Sequence, residues 1–242
     1  MKIQIVANKI LVGTHHKTGC VWMRKILWRI CRQFNLIYCD ASSKGILNDD
    51  FDILFDNHSR FILEPLPVCY KGFHLIRDPR DIIISGSLYH QKSDEKWLHR
   101  KRKEFSGLTY QEKINSYSSI DDQIFFEMEN TAYITIRDIE KWDYGNKNFI
   151  EIKYESLIED IDLMLFHKIF TFLGFPGRLI PELLNIAYEN SIFSGKVKRS
   201  THVRSGKKNQ WQDLFKAKHK KRFLELFGNI LVRLEYEKDN NW

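Results

Sequence analysis

The stretch "ILVGTHHKTGCVWMRKI", residues 10–26, sets the expectation for the fold. An apolar run ends at Gly13, a short polar loop with a lysine at its centre follows, and an amphipathic pattern begins almost at once. This order predicts a brief buried strand, a tight loop and a helix. Such a loop presents backbone N–H groups at the positive end of the helix dipole, so it attracts an anion. The nucleotide-triphosphate pattern G-x-x-x-x-G-K-[ST] is not met, because the order here is His-Lys-Thr-Gly.

Composition is typical of a globular protein with an anionic ligand. The chain has 242 residues, of which 43% are apolar and 14% aromatic, so we expect one domain spanning residues 1–242. The net charge of +7 favours an anionic ligand, although the runs "HRKRKEF" and "KAKHKKRF" supply much of it. No run approaches the length of a membrane span and no secretory pattern opens the chain, which predicts a cytoplasmic protein without membrane insertion. The four cysteines, Cys20, Cys31, Cys39 and Cys69, have no C-x-x-C spacing, so we expect reduced thiols, no disulfide and no metal.

Strand and helix patterns alternate along the chain. Further strands are predicted at residues 51–56, 72–78 and 148–154. Asp78 as a cap and Pro79 at the first helical position predict a second strand, loop and helix. The sequence also predicts a surface loop at 92–107, one long helix or two short ones at 110–142, a helix at 162–175, a mobile segment at 194–208 and a closing helix at 214–235. The alternation indicates an α/β class: a single three-layer domain with a central parallel sheet, helices on both faces and a P-loop-like loop.

Two sets of side chains are suited to bind a phosphate-like anion. Lys17 adds a mobile charge to the first loop, the Thr18 hydroxyl can donate a hydrogen bond, and Gly19 allows close backbone approach. Arg77 ends a predicted strand and Ser85 lies two turns into the next helix, a pairing suited to a phosphomonoester. Each residue also has a plain structural interpretation: an exposed lysine in a tight connection, an arginine paired with a neighbouring aspartate, or an ordinary helix-face serine.

Taken together, these motifs resemble the sulfotransferases that use 3′-phosphoadenosine 5′-phosphosulfate (PAPS). Their phosphosulfate loop is Pro-Lys-Ser-Gly-Thr-Thr-Trp, and "HKTGCVW" keeps the lysine, a hydroxyl residue, the glycine and the tryptophan. Their 3′-phosphate element is Arg-x-Pro-x-Asp with a serine eight residues after the arginine, which "RDPRDIIIS" matches throughout. Their C-terminal Arg-Lys-Gly-x-x-Gly-Asp-Trp is partly kept in "RSGKKNQW", where Asn209 and Gln210 replace Gly-Asp. The resemblance spans nearly the whole chain, in order.

The resemblance implies a donor site for PAPS, with adenosine 3′,5′-bisphosphate (PAP) as the product and no metal. It implies that Lys17 also stabilises the charge on the bridging oxygen as the S–O bond breaks. The 5′ end would be held by Lys17, Thr18, Gly19, Cys20 and Val21, the 3′-phosphate by Arg77, Ser85, Arg204, Ser205 and Gly206, and the adenine by Trp22, Tyr154, Ser191 and Phe193. Cys20 and Val21 replace two threonines and Ser205 replaces a lysine, so two of the family's hydroxyl donors and one of its cations are missing.

The family places a catalytic histidine just after the strand that precedes the arginine strand, and His58 of "FDNHSRF" stands there. A neutral imidazole is available near neutral pH because its reference pKa is about 6.5. We therefore expect His58 to be the base, although Asp56 replaces the family's lysine two positions earlier. Secondary candidates are His15 and His16 in the loop, and Glu64.

Two other classes of function stay open at this point. A P-loop kinase for small molecules would need Mg²⁺, for which Asp56 and Asp78 are the available strand-end acids. A catalytically inactive polyanion-binding module would rest on the net charge, but no base-stacking motif supports nucleic acid as a partner. For a sulfotransferase, the acceptor is predicted to be a small-molecule, lipid or sugar hydroxyl, with a pocket shaped by residues 36–47 and 92–108. The family's short dimerisation motif has no good match, so the sequence leaves the oligomeric state open.

Overall fold

The computed structural model of the protein describes residues 9–41, 50–61, 69–196 and 206–242. Two compact units are formed. Unit 1 takes the described residues of Met1–Arg77 and Lys141–Lys198, and unit 2 takes those of Asp78–Glu140 and Arg199–Trp242. A single domain over residues 1–242 stays a prediction. No helix in the described ranges combines the length and the apolar character needed to cross a membrane.

Unit 1 is built on a five-stranded sheet whose strands all run parallel. The strands are β1 (Lys9–Gly13), β2 (Tyr38–Asp40), β3 (Ile53–Asp56), β4 (Tyr70–Ile76) and β5 (Phe149–Lys153), in the spatial order β2-β3-β1-β4-β5. The predicted α/β class with a central parallel sheet is therefore confirmed.

Both units contain α-helices. In chain order the α-helices of the described residues are α1 (Cys20–Phe34), α2 (Pro79–His90), α3 (Tyr110–Asn115), α4 (Ile120–Glu129), α5 (Thr131–Lys141), α6 (Tyr154–Leu157), α7 (Met164–Phe172), α8 (Ile180–Asn190), α9 (Trp211–Leu214), α10 (Ala217–Phe227) and α11 (Ile230–Arg233). Short 3₁₀ helices lie at Lys96–His99, Lys103–Phe105, Gly177–Leu179 and Ile192–Ser194.

Side-chain alternation along the strands divides the core of unit 1 between the two faces of the sheet. On one face, Ile10 and Val12 of β1 pack with Met23 of α1, Phe166 of α7 and Leu183 of α8. On the opposite face lies a smaller cluster of Leu11, Phe51, Leu54 and Phe149, with Phe61 and Trp142 packed against it. Burying a side chain of this size contributes roughly 1.5–3 kcal/mol, so the central strands are the most strongly anchored part of unit 1.

The order of the strands determines where a ligand is expected. From β1 the chain passes through α1 to β2 on one side, whereas from β4 it leads to β5 on the other. In parallel α/β sheets, ligands bind outside the carboxyl ends of the strands where the direction of the connections reverses. Here that position is the crevice beyond β1 and β4, where the loop with Lys17 and the strand end with Arg77 meet.

Several predicted elements differ from the structure. The strand β2 was not predicted, because its three half-buried residues pair with β3 alone and carry no long apolar run. The predicted surface loop at 92–107 contains two 3₁₀ helices, and Leu98 within it is fully buried. The helix α8 was likewise not predicted.

In unit 2, two predicted helices are divided. The segment 110–142 forms three helices, and the break between α4 and α5 falls at Asn130, whose backbone is not helical. The closing helix 214–235 is interrupted by an extended Phe215 and by Gly228, which has φ +57°. Of the mobile segment predicted at 194–208, residues 197–205 lie outside the described residues.

Candidate active site

The loop between β1 and α1 has the form that its sequence predicted. The helix begins at Cys20 with Gly19 as its cap residue, and no side chain caps it. Because the first N–H groups of a helix have no partner within the helix, this end of α1 can bind an anion through its backbone. Lys17, which lies within this loop, has a left-handed backbone with φ +67°.

Two loop side chains are bonded within the loop itself. The fully buried Thr18 hydroxyl donates to the His15 carbonyl (2.7 Å) and accepts from the His15 N–H (2.8 Å). The Cys20 thiol also donates to the His15 carbonyl, at 2.8 Å, and burial raises its pKa, so the thiol is neutral. The donations from Thr18 and Lys17 to a phosphate therefore stay predictions, and the backbone N–H groups at the start of α1 are the donors that this loop presents.

Arg77 joins the ends of β1 and β4. Its side chain is 5% exposed, its Nη1 donates to the Lys17 carbonyl at 3.1 Å, and its guanidinium lies 4.7 Å from the centre of the Tyr154 ring. The carbonyl bond fixes the guanidinium beside the loop, and the ring contact adds a cation–π attraction. A cationic fork is thus held at the crevice between the strand ends, where an anionic ligand is expected.

Aromatic rings line the same region. The Trp22 ring meets Tyr154 edge to face with centroids 6.4 Å apart, and Phe166 in the same manner at 5.9 Å. The indole N–H of Trp22 is buried and has no hydrogen-bond partner among the described residues. A buried donor without an acceptor is costly, so this N–H is suited to a ligand atom such as a ring nitrogen.

We expect Gly19→Ala to destabilise the protein and to disturb this aromatic wall. Gly19 has φ +102°, and a Cβ there would lie 3.2 Å from Cδ2 of Tyr154. The left-handed backbone alone costs a residue with a Cβ roughly 1–2 kcal/mol. The matched control is Gly107→Ala, because Gly107 has φ +86° but no atom within 4 Å of its Cβ position. Urea denaturation should show a larger loss of unfolding free energy for Gly19→Ala, and equal losses would mean that the Tyr154 contact is unimportant.

Two residues assigned to the adenine side have local partners. Ser191 is fully buried, and its hydroxyl donates to the Ala187 carbonyl at the end of α8. The ring of Phe193 lies against Tyr188, with centroids 6.0 Å apart. The involvement of Ser191 and Phe193 with adenine stays a prediction.

Among the residues assigned to the 3′-phosphate, Ser85 and Gly206 fall in unit 2. Ser85 is half-buried on α2, and Gly206 has φ +61°. Arg204 and Ser205 lie outside the described residues, as does Glu64. The tryptophan of the same motif, Trp211, donates its backbone N–H to Asp81 and stacks on the Arg80 guanidinium at 3.7 Å.

His58 lies in a turn that Asp56 holds in place. One Asp56 carboxylate oxygen accepts from the His58 N–H (2.8 Å) and the other from the Arg60 N–H (3.1 Å). Ser59 of this turn donates its hydroxyl to the Thr14 carbonyl at 2.9 Å, which attaches the turn to the loop after β1. The structure thus brings half-buried His58 beside the loop.

The two acids considered for a magnesium site have other partners. Asp56 binds the turn, and the Asp78 carboxylate accepts three bonds from Arg80. Within the described ranges, no group of three or more His, Cys, Asp or Glu side chains is arranged to hold a metal ion.

Sequence reasoning missed a chain of polar side chains that runs from the buried His15 in the loop through the buried His74 to Glu151, which is partly exposed. Nε2 of His15 lies 2.6 Å from Nε2 of His74, and Nδ1 of His74 lies 2.6 Å from a carboxylate oxygen of Glu151. Trp142 donates to the other Glu151 oxygen at 2.8 Å and stacks on the His74 ring, with centroids 4.1 Å apart. A signal was present, because His74 and Glu151 are polar residues within apolar strand patterns, and the register of β4 and β5 pairs them directly.

The pKa of His15 is lowered well below its usual value. Burial of the imidazole is the largest cause, and electrostatic interactions with His74, His58 and Arg60 act in the same direction. His15 is therefore neutral at physiological pH, and the Ser59 bond to the Thr14 carbonyl attaches the turn of His58 to the backbone beside His15.

Known structures share this fold. A mouse sulfotransferase, SULT7A1, crystallised in complex with PAP, is 17% identical with a TM-score of 0.63 and covers 96% of this chain and 86% of its own. Retinol dehydratase in complex with androsterone and the inactive cofactor PAP is 15% identical with a TM-score of 0.54, covering 93% of this chain and 80% of its own. Its complex with retinol and PAP is 15% identical with a TM-score of 0.54. The match covers 94% of this chain and 82% of the retinol dehydratase chain.

No protein-family model and no curated protein matches the sequence. The likeness is therefore one of fold, at low sequence identity. The chain has the sulfotransferase fold, and the resemblance inferred from its motifs is confirmed at that level.

Proposed function

We propose that this protein is a PAPS-dependent sulfotransferase. The observation that carries the proposal is the position of Arg77, whose bond to the Lys17 carbonyl joins the two strand ends at which the sheet connections reverse. The uncapped start of α1 and the Trp22–Tyr154 pair lie against the same loop and supply an anion site and an aromatic wall. The fold of PAP-bound sulfotransferases supports the assignment.

In the proposed reaction, an acceptor hydroxyl attacks the sulfur of PAPS in line with the bond to the 5′-phosphate oxygen. The new S–O bond forms as the old one breaks, the acceptor proton passes to His58, and PAP leaves with the electron pair of the broken bond. A positioned base contributes about 10²–10⁴-fold. Lys17 and the backbone of α1 stabilise the negative charge that develops on the phosphate oxygen. The acceptor class, a small-molecule, lipid or sugar hydroxyl, and a cytoplasmic location remain part of the proposal.

The first test is a thermal-shift comparison of three probes: PAP, adenosine 5′-monophosphate, and ATP with Mg²⁺. A ligand at 100 times its dissociation constant stabilises the fold by about 2.7 kcal/mol, so a bound nucleotide gives a clear rise in Tm. We expect a rise with PAP that is much reduced with the monophosphate, because the 3′-phosphate is missing. A rise with Mg-ATP alone would support the kinase, and no rise with any probe would overturn the donor site.

A further inference from the structure

With both imidazoles neutral, the hydrogen bonds of the His15–His74–Glu151 chain define which ring nitrogens carry protons. The Glu151 carboxylate can only accept, so Nδ1 of His74 carries a proton and donates to it. In neutral His74, Nε2 is then an acceptor, and the proton in the 2.6 Å contact belongs to Nε2 of His15. His15 is consequently left with a bare lone pair on Nδ1. That nitrogen is buried and has no hydrogen-bond partner among the described residues.

We propose that His15 is a second proton acceptor in the sulfuryl transfer, with His74 and Glu151 as positioning residues that take up the charge. The inference rests on the proposed function and extends it beyond His58. It gives a role to Nδ1 of His15, which is buried and has no hydrogen-bond partner among the described residues. His15 lies two positions before Lys17 in the sequence.

The proton balance of the step is simple. Nδ1 of His15 accepts the proton that His58 has taken from the acceptor hydroxyl, and Nε2 of His15 passes its own proton to Nε2 of His74. Two N–H bonds break, on His58 and on Nε2 of His15, and two form, on Nδ1 of His15 and on Nε2 of His74. The positive charge then resides on His74, which still donates to the Glu151 carboxylate, and the reverse steps return the proton to His58 after PAP leaves.

The geometry explains why a buried imidazole with a low proton affinity can take part. A positive charge confined to His15 is opposed by burial and by neighbouring cations. Transfer to His74 puts the charge against the Glu151 carboxylate, whose side chain is 31% exposed and lies at the solvent side of the chain. The groups facing these two imidazoles are His58, Arg60, Glu151, Trp142 and Tyr144.

The first test measures the ring-nitrogen chemical shifts of ¹⁵N-histidine in the full chain at pH 7, with and without PAP. We expect neutral His15 with a bare Nδ1 and His74 with a protonated Nδ1. A proton on Nδ1 of His15 would overturn the proposal regardless of activity.

The second test compares turnover of PAPS with water as the acceptor in a double-mutant cycle. Glu151→Gln keeps the length of the side chain and one acceptor oxygen, for either His74 or Trp142, and removes the negative charge. We expect it to lower the rate a few-fold in the native background and to change it little in His58→Ala, because no proton reaches His15 from His58 in that variant and the effects of coupled residues are not additive. Glu182→Gln, a change at an exposed carboxylate of unit 1 bonded to Gln33, is the matched control.

If Glu151→Gln lowers the turnover of PAPS by the same factor in the native and His58→Ala backgrounds, its role is merely structural and the proposal is overturned. Failure of the proposed function is distinguishable from this outcome. A native chain that neither binds PAP nor hydrolyses PAPS overturns the proposed function, and with it the reaction that the proton transfer would serve.

Discussion

His58→Ala lowers turnover by about 10²–10⁴-fold while leaving PAP affinity within a factor of two or so, because a general base acts on the acceptor proton and not on the nucleotide. The structure supports this separation. His58 stands on the turn capped by Asp56, whereas the anion-binding groups lie on the loop, the start of α1 and Arg77. Single-turnover kinetics with PAPS and a thermal-shift titration with PAP measure the two quantities separately.

His167→Ala is the matched control, because His167 is an exposed histidine on α7 in the same unit. It should leave both turnover and affinity unchanged. Retention of the native rate in His58→Ala would show that His58 is not the base. A large loss of PAP affinity in His58→Ala would instead indicate that the turn supports the anion-binding loop, to which Ser59 attaches it.

The parts of the fold that sequence predicted well are those that local chemistry specifies. Strand β1 begins at Lys9 and ends at Gly13 as predicted, because a polar residue and a glycine bound a short apolar run. The start of α2 is correct for a similar reason: the Asp78 side chain accepts from the Arg80 N–H, and Pro79 occupies the first helical position.

The parts that sequence missed depend on pairing across the sheet. Strand β2 has only three residues and is defined by its register with β3, which no local pattern encodes. The contact between His15 and His74 joins residues 59 positions apart, and that between His74 and Glu151 joins residues 77 positions apart. Motif comparison identified His58 and Arg77 because the family carries these residues. It could not indicate His74 or Glu151, which the family motifs do not include. Their polar character within apolar strands was the available signal, and the pairing of β4 with β5 shows that they meet.

Arg77→Ala should weaken PAP binding on the order of 100-fold. Two charge-assisted bonds from a guanidinium fork to a phosphate contribute about 1.5–3 kcal/mol each, and part of that is recovered by water in the variant. The variant also loses the bond to the Lys17 carbonyl, which helps to hold the left-handed Lys17 in place. The effect should therefore extend to PAPS turnover as well as to PAP affinity, measured by isothermal titration and initial rates.

Two further variants separate the effect of the planar Arg77 guanidinium on PAP affinity from the effect of its positive charge. Arg32→Ala removes the same charge from an exposed site in the last turn of α1, where the guanidinium lies over Trp28, and should change affinity little. Arg77→Lys keeps the charge but not the planar fork, so an affinity between native and Arg77→Ala is expected. If Arg32→Ala weakens PAP binding as much as Arg77→Ala, the nucleotide is held by net charge alone. In that case the crevice at the ends of β1 and β4 is not the donor site.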